Sequence, residues 1–381
     1  MEKIYTALGL MSGTSLDGID VSIIKSDGNN QYSPILNEYF KYDDKTIQKI
    51  LMIRDKVSTS KDLNLYSKEI NILEKDLTLF NAKAVKETIK NFKQSIDVIG
   101  FHGQTIFHDS DQKITKQLGD GKLLSQLTKR KVVFNFRQND LKNGGQGAPL
   151  TPIFHSLIAN KISKKFEIDF PISILNIGGI SNVTLITNEN DFSDLNKIYA
   201  YDIGPGNCLI NEWIRRNSKN QFDKNGTIAR SGKIDELILN QALDNFGLNS
   251  SYEKSLDTKD FDIFFAKGLS FEDGAATITD FTAKLIADGI NFIQNKNSSE
   301  ITRWLVCGGG RKNKFLLERI KDNFKKINLD PIDEFKIDGD FIESQAFAFL
   351  AIRSLEGKAI SFPNTTRCKK PITGGEIVKN F

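Results

Sequence analysis

Residues 5–24 run Tyr5-Thr6-Ala7-Leu8-Gly9-Leu10-Met11, then Ser12-Gly13-Thr14-Ser15-Leu16-Asp17-Gly18, then Ile19-Asp20-Val21-Ser22-Ile23-Ile24. An apolar run, a cluster of small turn residues and a second apolar run predict a hairpin of two strands opening the chain. The layout returns in the second half, where Ile172–Ile177 is apolar, Gly178-Gly179 is the turn and Asn182–Ile186 resumes. One hairpin opening each half predicts two lobes of related design in an α/β protein. The lobes are expected at residues 1–145 and 146–357, with the tail 358–381 a candidate to return to the first.

Other segments fit that frame. Residues 43–95 carry helical spacing through Ile70, Leu73, Leu77 and Phe80. Short strands are predicted at Asp97–Phe101, Lys131–Phe136 and Trp304–Cys307. The last runs into Gly308-Gly309-Gly310 and a helix from about Lys312 to Phe324. An Ala- and Phe-rich helix is predicted at Ser344–Leu355, and the segment after Gly357, with Pro363, Pro371 and Gly374-Gly375, reads as loop.

The chain has 381 residues, enough for two sizeable cores. Its 52 basic and 48 acidic residues nearly cancel to +4, so no strong field gathers nucleic acid or a membrane surface. No apolar run reaches the roughly 18 residues of a membrane span, and the N-terminal apolar stretch is too short for a secretory signal. Cys208, Cys307 and Cys368 lie far apart with no C-x-x-C pair, which suggests neither a zinc cage nor a disulfide framework. A reducing compartment, the cytoplasm, is the expectation.

The glycine turns carry the chemistry. A phosphate needs several backbone N–H donors at once, and only small residues let a backbone approach that closely. Gly13-Thr14-Ser15 adds hydroxyls, and Asp17 is placed to hold a metal through water. Neither G-x-x-x-x-G-K-[ST] nor G-x-G-x-x-G occurs. Three turns, each ending an apolar strand, are candidates to cradle a nucleotide: Gly13 to Gly18, Gly178-Gly179 and Gly308 to Gly310.

Hairpin, hairpin and strand-GGG-helix resemble the phosphate-1, phosphate-2 and adenosine elements of the actin, Hsp70 and sugar-kinase superfamily. Within it, the strings resemble the anhydro-N-acetylmuramic acid kinase family. They are Gly9-Leu10-Met11-Ser12-Gly13-Thr14-Ser15-Leu16-Asp17-Gly18-Ile19-Asp20, Phe101-His102-Gly103-Gln104-Thr105 and Gly144-Gly145-Gln146-Gly147-Ala148-Pro149-Leu150. Asn176-Ile177-Gly178-Gly179-Ile180-Ser181-Asn182, Tyr201-Asp202-Ile203-Gly204-Pro205-Gly206-Asn207 and Val306-Cys307-Gly308-Gly309-Gly310-Arg311-Lys312-Asn313 complete the series in the family's order.

The resemblance implies a two-lobed actin-like (ribonuclease H-like) ATPase fold with a nucleotide cleft between the lobes. It implies that water opens a 1,6-anhydro-N-acetylmuramic acid ring while ATP, with Mg²⁺, phosphorylates O6, in cell-wall sugar recycling. ATP would be met by Gly13, Thr14, Ser15, Leu16, Asp17, Gly18, Ile19, Asp20, Gly178, Gly179, Asn182, Gly308, Gly309, Gly310 and Asn313. His102, Gln104, Arg137, Asp140 and Gln146 are expected at the sugar, since a charged fork suits a muramyl carboxylate. Arg137 and Asp140 would alternatively form an ion pair between lobes.

Asp202 is expected to be the base, exposed by the Gly204-Pro205-Gly206 turn, unless it only bonds the N–H groups of that turn. Glu343 is expected near the sugar as a second catalytic carboxylate, or else favours its helix N-terminus. His155 and Cys307 read as packed residues. A homodimer is implied by resemblance alone. One departure stands out: Asn135-Phe136-Arg137 replaces the family's Asp-Phe-Arg. If that carboxylate positions substrate or metal, a slower enzyme or an altered sugar follows. Two rival readings remain: a simple hydroxyl kinase for another amino sugar, and a nucleotide-gated ATPase without a metabolic substrate.

Overall fold

The computed structural model describes every residue except 1, 2, 14, 15, 91, 190–194, 247–251, 253, 298, 299, 302, 325 and 326. It divides into two compact units, each of mixed α and β structure. One comprises Met1–Ile158, Asn190–Ile198 and Phe341–Phe381; the other comprises Ala159–Glu189 and Tyr199–Asp340.

In the first unit, β1 (Tyr5–Ser12) is buried along its whole length, as its unbroken apolar run requires. It pairs antiparallel with β2 (Gly18–Ser26), placing Ala7 opposite Ile24, and parallel with β4 (Val98–Asp109), placing Ala7 opposite Val98. An outer strand, β3 (Tyr32–Lys41), follows β2, and β5 (Ile114–Leu118) extends β4. On the other side β6 (Val132–Phe134) pairs with β4. The tail then adds Glu376–Val378 antiparallel to β6. A segment whose Pro and Gly residues read as loop thus carries a strand.

Alternation along β1 separates two faces. Leu8 and Leu10 join a core with Ile50 and Ile53 of helix Asp44–Lys56 and Leu73 and Leu77 of helix Ser67–Lys90. Ile70, Leu73 and Leu77 are buried as their spacing predicts. Gly9 faces the opposite way, where helix Ile342–Leu355 crosses the sheet. A Cβ at Gly9 would lie 1.9 Å from the Ser344 carbonyl oxygen, and one at Gly100 would lie 2.1 Å from that of Phe347. These glycines let the helix backbone rest directly on β1 and β4. That packing draws Phe341–Leu355, expected in the second lobe, into the first unit. The first unit also runs on to Ile158 instead of ending at residue 145.

In the second unit, β7 (Ile172–Ile177) and β8 (Ile180–Ile186) form the second hairpin. With β9 (Ile198–Pro205), β10 (Arg303–Cys307) and β11 (Asn328–Pro331), the sheet order is β11-β10-β7-β8-β9, with β7, β10 and β11 parallel. The 26-residue helix Phe271–Lys296 lies in the core with Leu175, Val306 and Trp304. Helix Lys314–Asn323 is tied to it by Arg319 Nε, which donates to Asp280 Oδ1 at 2.5 Å. Among the described residues, no helix is long and apolar enough to cross a membrane.

Candidate active site

The turn between β1 and β2 is braced from beneath. Gln104 Oε1 accepts from the Ser12 hydroxyl at 2.6 Å, while its Nε2 donates to the Gly13 carbonyl at 3.2 Å. Ser12 Oγ also lies 3.1 Å from the Gly18 carbonyl oxygen. Buried Gln104 therefore spends both ends of its amide on the turn, so it supports the turn instead of meeting sugar. Thr14 and Ser15, expected at the phosphates, lie outside the described residues. Leu16 has a positive φ of 59° and a side chain only 2% exposed in the core, where Ile19 joins it. Only the backbones of these two can face a nucleotide.

Asp17 is exposed and takes a hydrogen bond from the Tyr39 hydroxyl. Burial, followed by the charges of Asp17 and Asp20, holds that hydroxyl above its ordinary range. Among the described residues no group of three or more His, Cys, Asp or Glu is arranged to hold a metal. Asp17 with Asp20 nearby fits an ion that keeps most of its water, as Mg²⁺ does.

A second constellation of the first unit gathers residues from distant motifs. After β6, Asn135 adopts φ of 53°, which sends Phe136 into the core and is followed by Arg137. Arg137 Nε and Nη2 donate to His102 Nε2 at 3.2 and 2.9 Å, and Nη1 donates to the Gly147 carbonyl at 2.8 Å. Asp140 is 1% exposed. Its Oδ2 accepts the Gly147 N–H at 2.7 Å and its Oδ1 accepts the Thr366 hydroxyl at 2.7 Å. A Cβ at Gly145 would lie 2.1 Å from the same carboxylate. Asp140 is thus a loop clasp, neither a sugar ligand nor the partner of Arg137.

Gln146 is half-buried on that loop, and its backbone N–H donates to the Thr366 carbonyl at 2.7 Å. Glu343 lies one turn before Phe347, whose ring sits 4.4 Å from that of His102. Residues four apart share a helix face, which puts Glu343 on the same face as Phe347. The Asn135 amide faces away from this group: Nδ2 donates to Glu376 Oε1 at 3.1 Å, on the tail strand.

In the second unit three turns meet. The Gly178 carbonyl accepts the Asn207 N–H at 2.7 Å, and the Gly179 carbonyl accepts the Gly206 N–H at 2.8 Å. A Cβ at Gly206 would lie 2.3 Å from the Gly178 oxygen. The Gly308 loop packs on the same hairpin, since a Cβ there would lie 2.4 Å from Asn176 Oδ1 and one at Gly310 2.2 Å from Ile177. Gly308 and Gly310 therefore serve close packing. Gly178 and Gly309 differ: an added Cβ meets nothing nearer than 3.5 Å and 3.8 Å respectively. Open Cα faces suit backbone that phosphate approaches, although the Gly178 N–H itself goes to Ile180.

Asn182 Oδ1 on β8 is buried with no partner among the described residues, an acceptor suited to a bound hydroxyl or metal-held water. Asn313, by contrast, uses its Oδ1 to cap helix Lys314–Asn323 through the Leu316 N–H at 3.0 Å. Asp202, on β9 just before the turn, is 8% exposed. Its Oδ2 accepts the Leu256 N–H at 2.8 Å and the Ser255 hydroxyl at 3.2 Å. The Gly206 N–H of its own turn is spent on Gly179.

The family model described as anhydro-N-acetylmuramic acid kinase matches residues 5–380. The chain belongs to the anhydro-N-acetylmuramic acid kinase family. An anhydro-N-acetylmuramic acid kinase of Pelagibacter ubique (strain HTCC1062) is 54% identical over 385 residues, covering 100% of both chains. One from Zymomonas mobilis subsp. mobilis (strain ATCC 31821 / ZM4 / CP4) is 38% identical over 381 residues, covering 97% of this chain and 99% of its own. Among solved structures, the activator of 2-hydroxyisocaproyl-CoA dehydratase from Clostridium difficile with bound ADPNP aligns over 92% of this chain and 96% of its own. That alignment has 10% identity and a TM-score of 0.41.

For an anhydro-N-acetylmuramic acid kinase, several supporting residues escape the sequence pattern. Ser255 and Leu256 hold Asp202 from a segment more than fifty positions away in the chain. Arg311 grips Asp333 through two N–H groups at 2.6 and 3.0 Å, bonds Asp340 at 2.7 Å and donates to the Gly308 carbonyl at 3.0 Å. It anchors the glycine loop, and its place directly after three glycines is the one signal for that role. Burial pushes the Cys208 thiol up to about 12, which removes it as a nucleophile.

Proposed function

We propose that this chain uses ATP to open 1,6-anhydro-N-acetylmuramic acid hydrolytically and phosphorylate its O6, giving N-acetylmuramic acid 6-phosphate for cell-wall sugar recycling. The family match over residues 5–380 carries this reading. The held carboxylate of Asp202 supports it. Asp202 takes a proton from water as the water oxygen bonds to the anomeric carbon. The C1–O6 bond breaks with its electron pair on O6, which bonds to the γ-phosphorus as ADP leaves. An ordinary glycosidase needs a second carboxyl group to protonate the leaving oxygen. Here phosphoryl capture replaces that proton, so one base suffices.

Arg137 is assigned to the lactyl carboxylate of the sugar, which a guanidinium fork binds well, with Glu343 in the same unit. The open backbones of Gly178 and Gly309 are assigned to the nucleotide, with Asn182. Asp17, with Asp20, would hold Mg²⁺ through water, and the ion would neutralise phosphate charge. We place the enzyme in the cytoplasm, on its three scattered cysteines, and as a homodimer on the family resemblance.

Asp202→Asn tests the assignment. It should lower kcat by roughly 10²- to 10⁴-fold, the usual worth of a general base, with ATP affinity nearly unchanged. Wild-type turnover in that variant would remove Asp202 from the role.

A further inference from the structure

His102 sits where a sugar contact is expected, yet both of its ring nitrogens are committed inside the protein. A guanidinium carries donors only. His102 Nε2, approached by Arg137 Nε and Nη2 at 3.2 and 2.9 Å, must therefore accept. The ring proton then sits on Nδ1, which donates to the Gly103 carbonyl at 2.8 Å. The ring is 5% exposed and packs against Phe347. Burial, and next the charge of Arg137, hold its pKa well below the ordinary range, so it stays neutral. Opposite, the Gly147 carbonyl takes Arg137 Nη1, and Asp140 fixes Gly147 through its N–H.

We infer that His102 is a positioning residue whose neutral imidazole accepts from Arg137 and fixes the direction of the guanidinium for an anionic carboxylate on the sugar. The inference rests on the proposed carboxylated substrate. An apolar side chain at position 102 would leave two N–H groups of a partly buried cation without their acceptor. The fork would then lose the constraint that His102 puts on its direction. A substrate lacking the carboxylate draws nothing from that alignment, so the effect of His102 should show as selectivity between two sugars.

The experiment measures kcat and KM for the anhydro sugar with and without its lactyl ether. The proteins are the wild type, Arg137→Ala, His102→Leu, His102→Gln and the Arg137→Ala/His102→Leu double variant, with a melting curve for each. Arg137→Ala and His102→Leu should each raise KM for the carboxylated sugar by roughly ten- to hundredfold, the usual worth of a hydrogen bond to a charged group. The rise should be far larger than for the other sugar and should exceed any change in kcat. The double variant should be no worse than Arg137→Ala alone, because both act through one contact. His102→Gln keeps an acceptor and should lie nearer the wild type than His102→Leu does.

Equal losses on both sugars in Arg137→Ala would defeat the carboxylate reading itself. A selective loss in Arg137→Ala with none in His102→Leu, or additive losses in the double variant, would overturn the positioning role alone. Should His102→Leu fail to melt cooperatively, a folded His102→Gln that loses carboxylate selectivity would overturn it.

Discussion

At position 135 Asn stands where the family resemblance implies Asp, and the local geometry gives that exchange a physical account. Asn tolerates the left-handed φ of 53°, and its amide donates to the Glu376 carboxylate. An Asp there would set two carboxylates at hydrogen-bonding distance. Asn135→Asp should therefore lower Tm by roughly 1–3 °C, as a lost exposed contact does, and should leave kcat no higher. A faster enzyme in a turnover assay would mean that the carboxylate serves substrate or metal after all. The same scale shows where residue-level reading runs out. Gln104, Asp140 and Asn313 look like ligand groups, yet Gln104 and Asp140 spend their polar atoms on neighbouring loops and Asn313 caps its own helix. A polar side chain in a turn serves loop closure and ligand binding equally well on paper. Only its partners distinguish the two.

Among elements, both hairpins are legible because an apolar run broken by small residues has few other solutions. The outer strand β3 is less so. It is mostly exposed or half-buried, so its pattern carries little burial signal. Helix Phe271–Lys296 is hidden for the opposite reason, being buried around most of its circumference and thus lacking a polar stripe. Gly9 illustrates a glycine whose purpose is packing. Gly9→Ala would drive a methyl group into the Ser344 carbonyl. The helix must shift, at a cost of about 1–3 kcal/mol, the usual penalty of overpacking. Denaturant unfolding should show the midpoint falling; an unchanged midpoint would mean that the helix does not rest on β1.

Over the whole chain, the two halves foreseen from the repeated hairpins correspond to two compact units, but their boundaries are not halves of the sequence. Helix Ile342–Leu355 and the tail strand Glu376–Val378 come back to the first sheet after the second unit is complete. Nothing local announces the return of that helix. It depends on Gly9 and Gly100 clearing a path for a helix backbone more than two hundred residues later. The site inherits this arrangement, since Phe347 and Thr366 reach His102 and Asp140 only because the chain returns. The functional claim belongs to the whole molecule as well, because it couples ring opening to phosphoryl transfer. The direct measurement incubates purified protein with Mg-ATP and 1,6-anhydro-N-acetylmuramic acid, and follows ADP and sugar 6-phosphate together. The account predicts equal amounts of both, each requiring the other substrate, and no ring opening without ATP. Ring opening in nucleotide-free solution, or ADP without sugar phosphate, would contradict it.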